Sequence, residues 1–300
     1  MEMNLFGRVI AVVAGDEREQ EIARLAALTG ATVRAYGFPW PSEGIAGVTR
    51  TASVSETLDG ADYALFPIPG IAADGSLFAP EHPEPIIAAP EAIVTMRHGG
   101  AIILGQANDA LRAAAHTHAI QLLEYEHDIE LMLLRGPAII EGALQVAIAQ
   151  TDITIHSAVV GVIGHGNIGR LLTRTLVLLG AHVHVFARNP VQRADAFAAG
   201  ASPHELTELA SLAHELKMVF STVPSSVVDR AVLASLPPMS LVMDLSAPPG
   251  GVDLEAAREL GHRAVWARGL GRRAPVTVGA SQWQGIARRI ESVELGRVTP

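Results

Sequence analysis

The chain contains no cysteine among its 300 residues. Disulfide bridges, thiolate nucleophiles and cysteine metal ligands are therefore all excluded. Lysine is nearly absent as well, because Lys217 is the only one in the sequence. Schiff-base chemistry would therefore depend on that single side chain.

Long apolar runs and basic stripes are also missing. The first apolar stretch, residues 9–14, is shorter than a signal peptide requires and leads directly into Asp16 and Glu17. No apolar run approaches the roughly 20 residues that span a bilayer. A formal net charge of −9 argues against a nucleic-acid partner. We therefore expect a cytoplasmic protein that binds neither membrane nor nucleic acid.

The composition that remains is typical of a compact protein with much buried sheet, since 49% of the residues are hydrophobic. Strand-like and helix-like segments alternate along the chain, which predicts an α/β fold. We expect two Rossmann-like, doubly wound parallel-sheet domains with a cleft between them. The predicted domains are residues 1–135 and residues 136–280, the second opening on a linking helix. A C-terminal helix over 281–295 is expected to complete the first domain.

The most informative stretch lies in the middle of the chain, where three glycines follow a buried strand predicted from Val159 to Ile163. Gly164, Gly166 and Gly169 have the G-x-G-x-x-G spacing of dinucleotide-binding turns. The first glycine would make the tight turn, the second would admit a pyrophosphate, and the third would let helix and strand approach closely. A helix over 170–179 follows, and its N-terminus would face the phosphates.

The next strand, predicted from His182 to Phe186, ends in Ala187, Arg188 and Asn189 instead of the acidic residue that NAD enzymes usually carry. Arg188 can bind a 2′-phosphate through a charge-assisted fork, which favours NADP over NAD. The alternative is a solvated loop arginine. The predicted cofactor-binding residues are Gly164, His165, Gly166, Asn167, Ile168, Gly169, Arg188, Thr222, Val223 and Pro224.

Candidates for chemistry follow the other predicted strands, because ligands of open α/β sheets bind beyond the carboxyl ends of the strands. Arg18 is a candidate carboxylate ligand, since a cation is unfavourable in the first turn of a helix without another role. Asp16 before it is predicted to cap that helix. Ser246 opens a Pro- and Gly-rich run interpreted either as a wall near the nicotinamide or as a plain loop.

Glu141 and His156, near the expected domain joint, are acid–base candidates; otherwise they are a satisfied helix carboxylate and a polar residue at a strand entry. Residues 269–279 form a candidate substrate lid. The chain has twelve histidines, but no pair has convincing ligand spacing, and we predict no metal.

Taken together, these motifs resemble the dipicolinate synthase A-subunit family over essentially the whole chain. The likeness includes a Pro-Gly-Gly-x-Asp segment and a Thr-Ile-His segment that are far more particular than the glycine motif. The matching segments are residues 15–18, 141–142, 151–156, 187–188, 244–253, 269–270 and 274–279.

The resemblance implies NADP-dependent oxidation of dihydrodipicolinate to the aromatic pyridine-2,6-dicarboxylate. It also implies a second, flavoprotein-like subunit (the B subunit of dipicolinate synthase) and a location in the cytoplasm of a sporulating mother cell. A homo-oligomer is expected as well. The substrate carries two carboxylates, for which four arginines are available: Arg18, Arg135, Arg272 and Arg273.

The chain departs from the family pattern at several positions. Members carry Asn, Pro and Thr just before the Glu-Gly pair, an Arg inside the glycine motif and a Lys after the last Ala-Pro. This chain has Arg135, Ala138, Ile139, Asn167 and Val276 there. Two alternatives therefore stay open: a D-2-hydroxyacid dehydrogenase-like enzyme, and an NADP-binding partner protein without turnover.

Overall fold

The computed structural model describes residues 3–72 and 74–296. The chain divides into two compact units, which we call the first and second unit. The first unit contains the residues up to Leu134 together with those from Ala274 onward, and the second contains Arg135 to Arg273. Each unit is built on a six-stranded parallel sheet, so the predicted α/β class with two parallel-sheet domains is confirmed.

The first sheet has the strand order β3-β2-β1-β4-β7-β8, and the second has the order β11-β10-β9-β12-β13-β14. A separate antiparallel pair, β5 and β6, lies outside both sheets. The strands are β1 Val9–Val13, β2 Thr32–Tyr36, β3 Val48–Arg50, β4 Tyr63–Leu65, β5 Ser76–Leu77, β6 Ile86–Ile87, β7 Ala101–Leu104, β8 Gln121–Glu124, β9 Val159–Ile163, β10 His182–Phe186, β11 Ser202–His204, β12 Met218–Ser221, β13 Leu241–Asp244 and β14 Arg263–Trp266.

Helices connect these parallel strands, as right-handed crossovers require. The helices are α1 Glu17–Leu28, α2 Val54–Leu58, α3 Pro90–Ile93, α4 Asp109–Thr117, α5 Ile129–Gln150, α6 Asn167–Leu178, α7 Pro190–Ala198, α8 Leu209–Leu212, α9 Arg230–Ser235, α10 Leu254–Glu259 and α11 Pro275–Glu294. Residues 206–215 form three consecutive short helical turns, of which α8 is the middle one, and Ser202–His204 before them pairs with β10.

Both faces of each sheet are covered, which explains why the strands are apolar throughout instead of alternating. In β1, Ile10 and Val12 enter one core of the first unit, while Ala11 and Val13 enter the other. The second unit repeats this arrangement with two further clusters. Each sheet is therefore a rigid platform whose carboxyl edge holds the loops that follow the strands.

The helix α5 is longer than the sequence indicates. It begins at Ile129, whereas we predict a linking helix from Ile139, and by length and composition it could cross a membrane. Core helices also meet that criterion, and α5 contributes Leu131 to a core of the first unit and Ala143 to a core of the second. The division between the two units falls within α5, after Leu134.

The last helix also begins earlier than predicted. α11 starts at Pro275 instead of residue 281, and a short 3₁₀ helix, Leu270–Arg273, precedes it. The segment 269–279, predicted as a substrate lid, is therefore mostly helical. Residues 274–280, which we assign to the second domain from the sequence, belong to the first unit.

Candidate active site

The glycine turn after β9 lies where the second sheet reverses its strand order, between β9 and β12. Gly164 has a φ of +87°, a conformation that residues with a Cβ rarely adopt. A Cβ on Gly169 would overlap the carbonyl oxygen of Gly164 and lie 3.0 Å from its carbon. Gly166 is exposed, and nothing lies within 4 Å of its Cβ position. The three glycines therefore have the three geometries that the motif predicts.

Gly166 is also the N-cap of α6, and it offers no side-chain cap. The first backbone N–H groups of a helix have no partner within the helix, and the helix dipole adds positive potential there. A phosphate would find both donors and space at this point. The turn thus fits the pyrophosphate of a dinucleotide.

Thr222 fixes this turn from the neighbouring strand. Its hydroxyl donates to the carbonyl oxygens of Ile163, at 3.0 Å, and Gly164, at 3.3 Å. The side chain of Val223 would lie 2.5 Å from a Cβ on Gly164. Thr222 and Val223 therefore shape the turn, while Pro224 after them is exposed.

The side chain of His165 does not face the open side of the turn. It is 1% exposed, and its Nε2 lies 3.0 Å from the Asp195 carboxylate on α7. Arg170 on α6 contacts the same carboxylate at 2.8 Å. Burial lowers the pKa of His165, with Asp195 opposing the shift. A ligand at the turn could therefore contact only the backbone of His165, because its imidazole binds Asp195 on α7.

Arg188 lies in the turn after β10, and its side chain is exposed. Within residues 3–72 and 74–296 we find no hydrogen bond or ion pair from its guanidinium. The turn itself is held firmly, because Nη1 of Arg193 donates to the carbonyl oxygens of Ala187 and Arg188, at 3.0 and 2.8 Å. Asn189 caps α7 by accepting from the Val191 N–H. An exposed guanidinium thus extends from a backbone that is held by hydrogen bonds.

In the first unit, the strand order reverses between β1 and β4, and α1 begins beside the carboxyl end of β1. Asp16 caps α1, as predicted, and its carboxylate also binds the Arg18 guanidinium through Nε at 2.7 Å and Nη2 at 2.8 Å. Arg18 is 7% exposed and lies over the Phe78 ring. Asp16 therefore satisfies the cation that is unexpected in this first turn.

Glu19 completes this cluster. Its Oε2 accepts from the Asp16 N–H at 2.7 Å, which forms a capping box. Burial raises the pKa of the Glu19 carboxyl to about 7, although Arg18 opposes the shift. The Asp-x-x-Glu spacing signals a capping box in the sequence, but the raised pKa follows from burial that the sequence does not reveal.

Comparison with known proteins divides the chain in a similar way. The model of the N-terminal domain of the dipicolinate synthase A subunit matches residues 9–126, and the NAD-binding domain model of D-isomer specific 2-hydroxyacid dehydrogenases matches residues 140–245. The A subunit of dipicolinate synthase from Bacillus subtilis (strain 168) is 29% identical over 276 residues, covering 92% of this chain and 93% of that protein.

Two solved structures are similar over almost the whole chain. The dipicolinate synthase A subunit from Bacillus halodurans has a TM-score of 0.85 and 28% identity, covering 95% of this chain and 98% of its own. The dipicolinate synthase A chain from Bacillus subtilis has a TM-score of 0.84 and 26% identity, covering 99% and 100%. The chain is therefore similar over almost its whole length to the A subunit of dipicolinate synthase.

The second unit matches an NAD-binding dehydrogenase domain, and the chain is an NAD(P)-dependent oxidoreductase. The 2-hydroxyacid dehydrogenase domain model matches only residues 140–245, whereas residues 9–126 match the dipicolinate synthase model.

The predicted catalytic residues lie in different surroundings. Glu141, on α5, forms an ion pair with Arg273, and both side chains are partly exposed. Arg273 and Arg272 belong to the 3₁₀ helix before α11, while Arg135 lies on α5 and is partly buried.

His156 is placed at the wrong edge for its predicted role. It precedes β9, and its ring covers Gly180, which precedes β10. The glycine turn follows β9, and five residues of strand separate the two edges by about 16 Å. His156 is therefore not a catalytic candidate at the nicotinamide.

Ser246 is held by a buried carboxylate that sequence analysis does not single out. Its hydroxyl donates to Asp244 at 2.6 Å, and the N–H groups of Ser246, Gly251 and Val252 point at the same carboxylate. Asp244 thus folds the Pro- and Gly-rich run onto the end of β13. The wall interpretation of this run remains a prediction, and its Ser246 hydroxyl is already engaged.

No group of three or more His, Asp or Glu side chains is placed to hold a metal ion within the described residues. The histidine pair 184 and 204 does meet, with Nδ1 and Nε2 2.9 Å apart on neighbouring strands. That pair lies within the second sheet and not in the turns after β9, β12 or β13.

Proposed function

We propose that this chain oxidises dihydrodipicolinate to dipicolinate with NADP⁺ as the hydride acceptor. Similarity to the A subunit of dipicolinate synthase over almost the whole chain supports the substrate. Arg188, which is exposed and has no protein partner among the described residues, supports the cofactor. The reaction removes one hydride and one proton from the dihydropyridine ring, and it yields NADPH and an aromatic product. Aromatisation makes the loss of hydride favourable, so the protein mainly has to position the reactants.

The backbone of the glycine turn would hold the pyrophosphate. Gly166 leaves the approach open, and the first N–H groups of α6 supply donors. The bound nicotinamide would supply the hydride acceptor. The residues proposed around the cofactor are Gly164, His165, Gly166, Asn167, Ile168, Gly169, Arg188, Thr222, Val223 and Pro224.

Arg188 would select NADP. A carboxylate at the end of the second cofactor strand would bind the ribose 2′-OH of NAD and repel a 2′-phosphate. Arg188 instead offers a forked cation without a protein partner among the described residues. NAD has no 2′-phosphate, so it would make the pyrophosphate contacts but not the contact with Arg188.

Arginines would bind the two substrate carboxylates. Arg18 is held in one orientation by Asp16, and a pre-oriented guanidinium loses little entropy when it binds a second carboxylate. Arg135, Arg272 and Arg273 are the further proposed ligands. Glu141 is the proposed base for the ring proton, and its ion pair with Arg273 would fix its position.

A protein partner and a location in the mother-cell cytoplasm belong to this proposal. The names of the relatives specify one subunit or one chain of dipicolinate synthase, which implies an enzyme of more than one subunit. A flavoprotein-like protein, the B subunit of the synthase, would be the partner, and self-association of the chain is proposed in addition.

Turnover decides the function. The purified chain, mixed with NADP⁺ and dihydrodipicolinate made enzymatically in the same vessel, should produce NADPH absorbance and dipicolinate together. NAD⁺ should react more slowly. Reduction of NADP⁺ by a 2-hydroxy acid instead would overturn the proposal in favour of a hydroxyacid dehydrogenase. Absence of any reduction, with and without the B subunit, would also overturn it.

Replacing Arg188 with alanine should raise the dissociation constant for NADPH about tenfold, because a charge-assisted contact is worth about 1.5 kcal/mol. Binding of NADH should change little, since it lacks the 2′-phosphate. Fluorescence titration of both reduced cofactors measures the difference. Arg258→Ala, an exposed arginine in the last turn of α10, is the matched control for charge loss. Equal affinity of the wild-type protein for both cofactors would refute the NADP assignment.

A further inference from the structure

The helix α7 carries two charged side chains that reach back to two different turns. Arg193 contacts the turn after β10, which contains Arg188, and Asp195 contacts the glycine turn through His165. Both turns lie at the carboxyl edge of the second sheet. The helix therefore supports both the turn proposed to bind the pyrophosphate and the turn that carries Arg188, the proposed 2′-phosphate ligand.

The guanidinium of Arg193 is engaged by protein groups. Nη1 donates to the carbonyl oxygens of Ala187 and Arg188, and Nη2 contacts Glu205 at 3.1 Å. The Arg193 side chain is 22% exposed. A guanidinium occupied in this way is poorly placed to move onto a phosphate.

The same contacts favour an anion at Arg188. Carbonyl oxygens carry partial negative charge, and two of them close together would repel a phosphate beside the turn. Arg193 binds both oxygens and fixes their direction. The N-cap of α7 by Asn189 fixes the remaining backbone of the turn. The Arg188 side chain, by contrast, has no protein partner among the described residues.

We propose that Arg193 is a positioning residue that sets the preference for NADP over NAD by holding the backbone from which Arg188 extends. This inference rests on the proposed function, because it assumes that Arg188 binds the 2′-phosphate. Arg193 itself does not contact the cofactor. It acts through Arg188 and through the carbonyl oxygens that it neutralises.

Asp195 provides a matched comparison on the same helix. It accepts from His165 at 3.0 Å and from Arg170 at 2.8 Å, and both partners belong to the glycine turn or the first turn of α6. These contacts support the pyrophosphate seat, which NADP and NAD share. A change at Asp195 should therefore weaken the binding of both cofactors, whereas a change at Arg193 should weaken only the binding of NADP.

The test is a titration of NADPH and NADH against four variants. Arg193→Met, which keeps the apolar stem, should raise the dissociation constant for NADPH about fivefold and leave NADH nearly unchanged. Arg193→Lys should recover part of the loss, since one ammonium can reach the two carbonyl oxygens. Asp195→Asn should raise the dissociation constants for NADPH and NADH by similar factors. In the double variant Arg188→Ala/Arg193→Met, the loss for NADPH should equal that of Arg188→Ala alone.

Three results would overturn the inference. Additive losses in the double variant would mean that Arg193 binds the phosphate itself. Unchanged NADPH affinity in Arg193→Met would mean that the turn needs no brace. Equal losses for both cofactors, with a lower melting temperature, would reduce Arg193 to a structural residue. If the wild-type protein has no preference for NADPH, the proposed function fails first, and that outcome is visible before any variant is made.

Discussion

Gly169→Ala is expected to weaken the binding of both NADPH and NADH about 100-fold. The added Cβ would overlap the carbonyl oxygen of Gly164 and lie 3.0 Å from its carbon, and these backbone atoms cannot rotate away. The helix α6 must therefore move off β9, which takes its N–H groups away from the pyrophosphate. Loss of two such hydrogen bonds, at about 1.5 kcal/mol each, weakens binding about 100-fold. Overpacking should also cost about 1–3 kcal/mol of folding free energy.

Gly166→Ala separates binding from stability. Gly166 has a φ of −82°, and its Cβ position is open, so the protein should fold with an unchanged melting temperature. The methyl group would occupy the space that a pyrophosphate needs, and both cofactors should bind about tenfold more weakly. Cofactor titration and thermal unfolding measure the two effects on the same samples. Normal affinity in both glycine variants would mean that the turn is not the cofactor seat.

The glycine turn could be predicted because its causes are local. A continuous apolar run bounded by glycine gives a buried strand, and β9 has the predicted ends, Val159 and Ile163. The positive φ of Gly164 and the close approach at Gly169 follow from motif spacing. The end of β10 at Phe186 follows in the same way and places Arg188 in the next turn.

The length of α5 could not be predicted because its cause is tertiary. Gly136 and Pro137 indicate a break, yet Pro137 lies inside the helix. Gly136 is accommodated because the Leu171 side chain occupies the place of its Cβ. Packing against α6 thus sustains a helix that local propensity disfavours.

The acidic residues of the site show the same limit. Asp253 directly precedes α10 in the sequence and is its N-cap. Asp244 does not stand out in the sequence, because its donors come from a loop that closes only in the folded chain. Arg18 is interpreted as a ligand because a cation is unfavourable at its position, but Asp16, two residues earlier, binds it directly. A local pair can therefore explain the residue without excluding a ligand.

The second large expected effect is a loss of stability as the pH rises from about 4.5 to 7. The pKa of Glu19 is about 7 in the folded protein, because the carboxyl is buried, and 4.5 is the ordinary value for an unfolded chain. Between these values the folded state holds a proton that the unfolded state has lost. Raising the pH therefore favours unfolding, by up to about 3 kcal/mol over the whole window. Glu19→Gln should remove this contribution, since its amide oxygen still accepts from the Asp16 N–H.

Thermal unfolding of the wild-type protein and Glu19→Gln across this pH range measures the effect. The melting temperature of the variant should rise relative to that of the wild-type protein as the pH increases, and the difference should level off above about pH 7. Glu56 provides the matched control, because it occupies the third position of α2 and accepts from the Ala52 N–H, yet is exposed. The melting temperature of Glu56→Gln should change with pH in the same way as that of the wild-type protein. A parallel curve for Glu19→Gln as well would mean that burial does not hold a proton on this carboxyl, and that Arg18 and its neighbours keep it ionised.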